Sequence, residues 1–77
     1  MIMNNWIPVN VQPPIDPEYN YADEWRSVEV IFTDGKGQWI GYQQVELEMG
    51  ADYWIMKGPD GYDVENVTHW KMLDSFP

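Results

Sequence analysis

A β-rich fold is predicted for this chain, α+β at most. The expected form is one antiparallel four-stranded meander sheet, covered by an irregular proline-rich segment. Three observations predict it. Val28, Val30 and Phe32 alternate with Glu29, Ile31 and Thr33, the two-residue period of a strand. Turn signals built on glycine separate the runs that follow. Pro8, Pro13, Pro14 and Pro17 crowd the N-terminal third, where each removes an amide donor and restricts the residue before it. The 77 residues form one domain, divided into a cover segment over 1–26 and a sheet over 27–73.

The elements follow in chain order. Trp6, Ile7, Val9, Val11 and Ile15 are apolar among the prolines, so the first segment lies extended across the sheet, pinned by those side chains. Residues 16–25 read as a short helix or an ordered loop. Asp16 suits a helix cap, Pro17 the first helical position and Glu18 the first turn, while Asp23 and Glu24 oppose the dipole at its end. The first strand runs from Ser27 to Thr33. Asp34-Gly35-Lys36-Gly37 then turns the chain, glycine taking positive φ without steric cost. Gln38 to Glu48 is the second strand, where Gly41 marks a bulge or a close backbone approach. Tyr53 to Lys57 is the third, with Trp54 and Met56 on one face. After the Gly58-Pro59-Asp60-Gly61 turn, Val64 to Leu73 is the fourth, with Thr68, Trp70 and Met72 sharing a face.

Composition narrows the function. There is no cysteine, which excludes disulfides, thiolate metal sites and a cysteine nucleophile. Twelve aromatic residues supply the core instead, since each buries roughly 150–250 Å². Thirteen acidic residues against four basic ones give a net charge of -9. Direct nucleic-acid binding, which rests on Lys and Arg displacing counterions, is not expected. Neither is attachment to anionic membranes. No apolar run reaches the ~18 residues of a membrane span, and the start lacks a signal peptide's basic and apolar regions. The expected location is the cytoplasm.

Two end motifs carry a resemblance. The chain has Trp6-Ile7-Pro8-Val9 followed by Pro13-Pro14, then Val28 to Phe32 with Asp34-Gly35, and ends on Val67-Thr68-His69-Trp70-Lys71-Met72-Leu73. This pattern resembles a family of small bacteriophage and prophage proteins of unknown function. Residues 15–26 stand as an insertion relative to that pattern, and Lys71 replaces a residue that is more often apolar. The resemblance implies a phage accessory protein in a bacterial host cell. It transfers no activity.

Candidate chemistry is sparse. His69 is the single histidine, so a His-rich metal site is impossible. Trp6, Trp39, Trp54, Thr68, His69 and Trp70 are read as structural, with His69 hydrogen-bonding across the sheet, Trp70 packing inward and Trp6 nearby. Asp60, Asp63 and Glu65 do not match a calcium loop and read as a solvated turn. No catalytic residue, metal or cofactor is expected. Recognition is assigned instead to Asp16, Glu18, Tyr19, Tyr21, Asp23, Glu24 and Trp25 together with Glu46, Glu48 and Asp52, a negative strip interleaved with aromatics. Tyr19, Tyr21 and Trp25 are the expected exposed set. The expected function is a non-catalytic phage protein that inhibits a host protein with a basic surface, in anti-CRISPR-type anti-defence. The chain acts as a monomer or a homodimer. The alternative is a Trp-lined pocket, on Trp39, Trp54 or Trp70, for a small molecule such as a nucleotide signal.

Overall fold

A computed structural model describes residues 6–58, 61 and 63–73. Among these residues, seven strands lie in one open antiparallel sheet: β1 (Ile7–Pro8), β2 (Ile15–Asn20), β3 (Glu24–Ser27), β4 (Val30–Thr33), β5 (Gln38–Glu46), β6 (Ala51–Met56) and β7 (His69–Met72). The β-rich, antiparallel architecture agrees with the sequence. The strand count, the meander order and the role of the first 26 residues differ.

β5 organises the sheet. One of its edges carries β6. The other carries β4 and β3 end to end, Val30 opposite Gly41 and Arg26 opposite Gln44. Between those two pairs the β3–β4 run advances four residues while β5 advances three, so one residue is extra. This is a β-bulge, which bends a strand and tightens its twist. Ser27 organises it. Its Oγ accepts the Gln43 amide at 2.9 Å and donates to the Val28 carbonyl at 2.8 Å. β2 pairs with β3, while β7 pairs with β4 and carries β1 on its far edge. The order is therefore not a meander, because the last strand returns beside β4.

The first 26 residues are thus partly sheet rather than cover. β1 and β2 sit at sheet edges, the positions where Pro8 and Pro17 leave no central ladder bond unmade. No helix forms at 16–25. Asp16 Oδ1 does accept the Glu18 amide at 2.9 Å, as a helix cap would. The same bond also closes a turn, and here it bows β2 outward between Ile15, opposite Ser27, and Asn20, opposite Trp25. So short a helix has little stability of its own, and pairing Trp25 with Val45 on β5 wins. The expected strand over Val64–Leu73 shortens to β7. Asn66 takes φ 63 and breaks the run, while Asp63 bridges to Ile55 beside β6.

One face of the bent sheet holds the core. Val30, Phe32, Trp54 and Trp70 are buried together, with Ile7, Val9, Trp39, Met56, Val64 and Val67 packed around them. Phe32 is fully buried, its ring 5.2 Å from Trp54 and stacked 6.1 Å from Trp39. Trp70 donates its indole N–H to the Val11 carbonyl at 2.8 Å, which ties the N-terminal segment over the core.

The β4–β5 hairpin forms as the sequence predicts. Gly35 takes φ 95, which a side chain would resist. Thr33 Oγ1 accepts the Gly35 amide and donates to the Gly37 carbonyl. Asp34 Oδ1 accepts the amides of Lys36 and Gly37 at 2.8 and 2.9 Å. Those amides, Gly37 first and then Lys36, hold the Asp34 carboxyl below the ordinary aspartate range. The turn therefore adds stability that is fully present above the ordinary value and is lost as pH falls through the depressed folded value. An NMR titration of the Asp34 side-chain carbon should show this depressed midpoint, and Asp34→Ala should remove that part of the acid dependence. A midpoint at the ordinary value would show that the turn amides do not favour the charged form.

Candidate functional site

Alternation along β5 divides its side chains. Trp39, Gln43 and Val45 share the core side, opposite Phe32, Trp54 and Trp25 respectively. Tyr42, Gln44 and Glu46 share the outer side, with Ile55, Arg26 and Glu24 as their register partners. The outer side carries a ladder of aromatic, cationic and acidic groups. The Arg26 guanidinium lies between two rings, 4.1 Å from the centre of Tyr19 and 4.7 Å from that of Tyr42. Its Nε donates to Gln44 Oε1 at 3.1 Å. Gln44 Nε2 in turn reaches Glu46 Oε2 at 3.4 Å. Tyr19 donates its hydroxyl to Glu24 Oε2 at 2.5 Å and meets Tyr21 edge-on at 5.0 Å. The bond to Glu24, and next the partial burial of the ring, raise the Tyr19 pKa above the ordinary phenol value.

This geometry brings several predicted residues together. Glu24 sits opposite Glu46 in register, and Leu47 donates its amide to the Asp23 carbonyl. Glu48 follows in the turn 47–50. Asp23, Glu24, Glu46 and Glu48 therefore lie at one end of the sheet, as does the exposed Tyr21. Like charges directly opposite each other on a sheet repel, so this end is held at some cost to stability.

Others of the set lie elsewhere or are less exposed than expected. Trp25 is buried rather than exposed, because it faces Val45 on the core side. Tyr19 is half-buried under Arg26. Asp52 also pairs with Val45, which puts it on the inner face. Asp16 and Glu18 lie in the bowed part of β2, away from the turn at Asp23. Arg26 and Tyr42 belong to the ladder although the sequence did not single them out, and Gln44 shares the strand face of Glu46 as the two-residue spacing implies. The two-residue spacing of Tyr42, Gln44 and Glu46 was a readable signal for three of its members. The pairing with Arg26 depends on a bulge that no spacing reveals.

The residues read as structural divide in the same way. Trp54 and Trp70 are core, and Trp39 packs against it. Trp6 precedes Ile7, the register partner of Trp70, and its ring takes the Lys71 ammonium at 4.6 Å. Thr68 donates its amide to the Thr33 carbonyl at 2.8 Å, linking the chain to β4. Among the described residues, the hydrogen bond of the His69 ring runs along the chain and not across the sheet. Its Nδ1 lies 2.9 Å from its neighbour Thr68 Oγ1. Among the described residues, no group of three or more His, Asp or Glu side chains is placed to hold a metal. Asp60 of the acidic turn lies outside the described residues. Among those same residues, no helix is long and apolar enough to cross a membrane. No family model, curated protein or solved structure matches the chain.

Proposed function

We propose that this chain is a non-catalytic binding protein that docks a basic protein surface on the outer end of the β2–β3–β5 face. The observation that carries the reading is the placement of Asp23, Glu24, Glu46 and Glu48 at one end of the sheet with the exposed Tyr21. The side chains there are partly pre-ordered. Tyr19, Arg26 and Gln44 bond to or around Glu24 and Glu46, so less side-chain entropy is lost on binding. A chain with net charge -9 also accelerates encounter with a basic partner. Taken with the phage-like end motifs, the concrete form is an inhibitor of a host protein, of the anti-defence kind.

The alternative of a nucleotide signal on a Trp platform has less support. Trp70 is buried with its N–H engaged, and the groove beside Trp54 is lined by carboxylates that repel phosphate.

The test is capture from bacterial lysate by the wild-type chain and by the double variant Glu46→Lys/Glu48→Lys, followed by titration against the purified captured protein. The variant should bind at least about tenfold more weakly, as loss and reversal of interface charge implies. Wild-type affinity should fall as salt rises. Equal affinity of both chains, flat with salt, would overturn the reading.

A further inference from the structure

The inner face carries a feature that docking on the outer end does not use. A groove of about 570 Å³ opens beside Trp54. Trp54 and Val67 line it with apolar surface, while Asp52, Asp63 and Glu65 bring carboxylates to it. Among the described residues, no Lys or Arg lines it. Gln43 also lines it, and Gln43 is only 8% exposed. Its Oε1 is buried and has no hydrogen-bond partner among the described residues. A buried acceptor left unpaired is costly, and native proteins rarely keep one without a use.

We infer that this groove is a binding site for an alkylguanidinium-type cation, with the Gln43 amide oxygen and the Asp52, Asp63 and Glu65 carboxylates as its acceptors. The chemistry selects the class. Tyr53 and Asn66 also line the groove and can donate as well as accept, but the unpartnered Gln43 Oε1 and the three carboxylates only accept, and a ligand that brings N–H donors matches them. The carboxylates call for positive charge. A guanidinium supplies up to five donors in a planar fork, and its aliphatic stem suits Trp54 and Val67. A phosphate or a carboxylate ligand would face the carboxylates with like charge. The site lies on the opposite side of β5 from Glu46 and does not rest on the outer-face reading.

The probe is butylguanidinium, with butylurea as its neutral isostere and N-acetyl-arginine methylamide standing for a peptide side chain. Titrations are followed by ¹H–¹⁵N NMR at the Trp54 indole and the Gln43 side-chain amide. Butylguanidinium should shift both signals saturably, and butylurea should not. Tighter binding of the arginine derivative would identify a protein side chain as the source, and tighter binding of the simple alkylguanidinium a free metabolite. Gln43→Leu should weaken binding about tenfold, the loss of one hydrogen bond to a charged group. Asp52→Asn, an exposed change that spares the core, should weaken it as well. Gln43→Leu should also raise the melting temperature of the free protein by about 4–8 °C, by removing an unpaired acceptor. A lowered melting temperature would show the amide to be already paired. That result, or linear shifts spread over the whole acidic surface and unchanged in both variants, would overturn the inference.

Discussion

Gly41→Ala should cost at least about 3 kcal/mol, the upper end of overpacking penalties. The single added carbon would stand 2.0 Å from the Ile55 carbonyl oxygen and 2.9 Å from its carbon, both backbone atoms of β6. No rotamer can relieve such a clash. β6 must move, and moving it strains the bond from the Lys57 amide to the Ile40 carbonyl and shifts Met56 from the core. Gly50→Ala is the control. Gly50 has φ 63 and nothing within 4 Å of an added carbon, so only left-handed backbone strain is charged, about 1–2 kcal/mol. Urea denaturation of both variants separates the two causes. A Gly41→Ala midpoint no lower than that of Gly50→Ala would mean that β5 and β6 do not approach as described.

That close approach was legible in part. A glycine inside an otherwise strand-like run signalled either a bulge or a backbone contact, and the contact is what Gly41 makes. The bulge lies elsewhere, at Ser27–Glu29, where nothing in the sequence marks it. Serine reads as an ordinary polar residue, and its use as an acceptor for the Gln43 amide depends on which strand lands opposite. The alternation of Val28, Val30 and Phe32 marks β4, although Ile31 and Thr33 between them are buried as well, and Asp34-Gly35-Lys36-Gly37 marks the hairpin, because both are local. The N-terminal third was misread for a local reason too. Asp16-Pro17-Glu18 has the same bonding chemistry at a helix start and in a bowed edge strand, so the choice falls to tertiary pairing. Of the acids at 23–24 and 46–48, the register sets Glu24 opposite Glu46. The placement of Trp25 and Asp52 on the inner face was hidden, because a slip of one residue exchanges the faces of a strand. Gln43 was hidden for the same reason. A glutamine in a polar Gln-Gln pair gives no sign that one of the two is buried.

Phe32→Ala should lower stability by about 3–5 kcal/mol, a large share of the roughly 4–12 kcal/mol available to a domain of this size. Phe32 is fully buried on β4 and touches both halves of the bent sheet, Trp39 on the facing strand and Trp54 beyond it. Its register partners are Trp39 on one side and Trp70 on the other, so it is the point at which three tryptophans are held at fixed distance. Removing the ring opens a void that rigid indoles cannot collapse to fill, which places the cost toward the upper end of the range. With no disulfide to restrain the unfolded chain, nothing else compensates. Phe32→Leu keeps most of the volume and should cost far less, whereas Ile40→Ala, on a side chain 44% exposed across the sheet, should change stability by about 1 kcal/mol or less. Urea midpoints for the three variants, with tryptophan fluorescence as the signal, test the order. If Ile40→Ala proved as damaging as Phe32→Ala, the aromatic cluster would not be the centre of the core, and the division of inner from outer side chains on which both proposed sites rest would lose its physical basis.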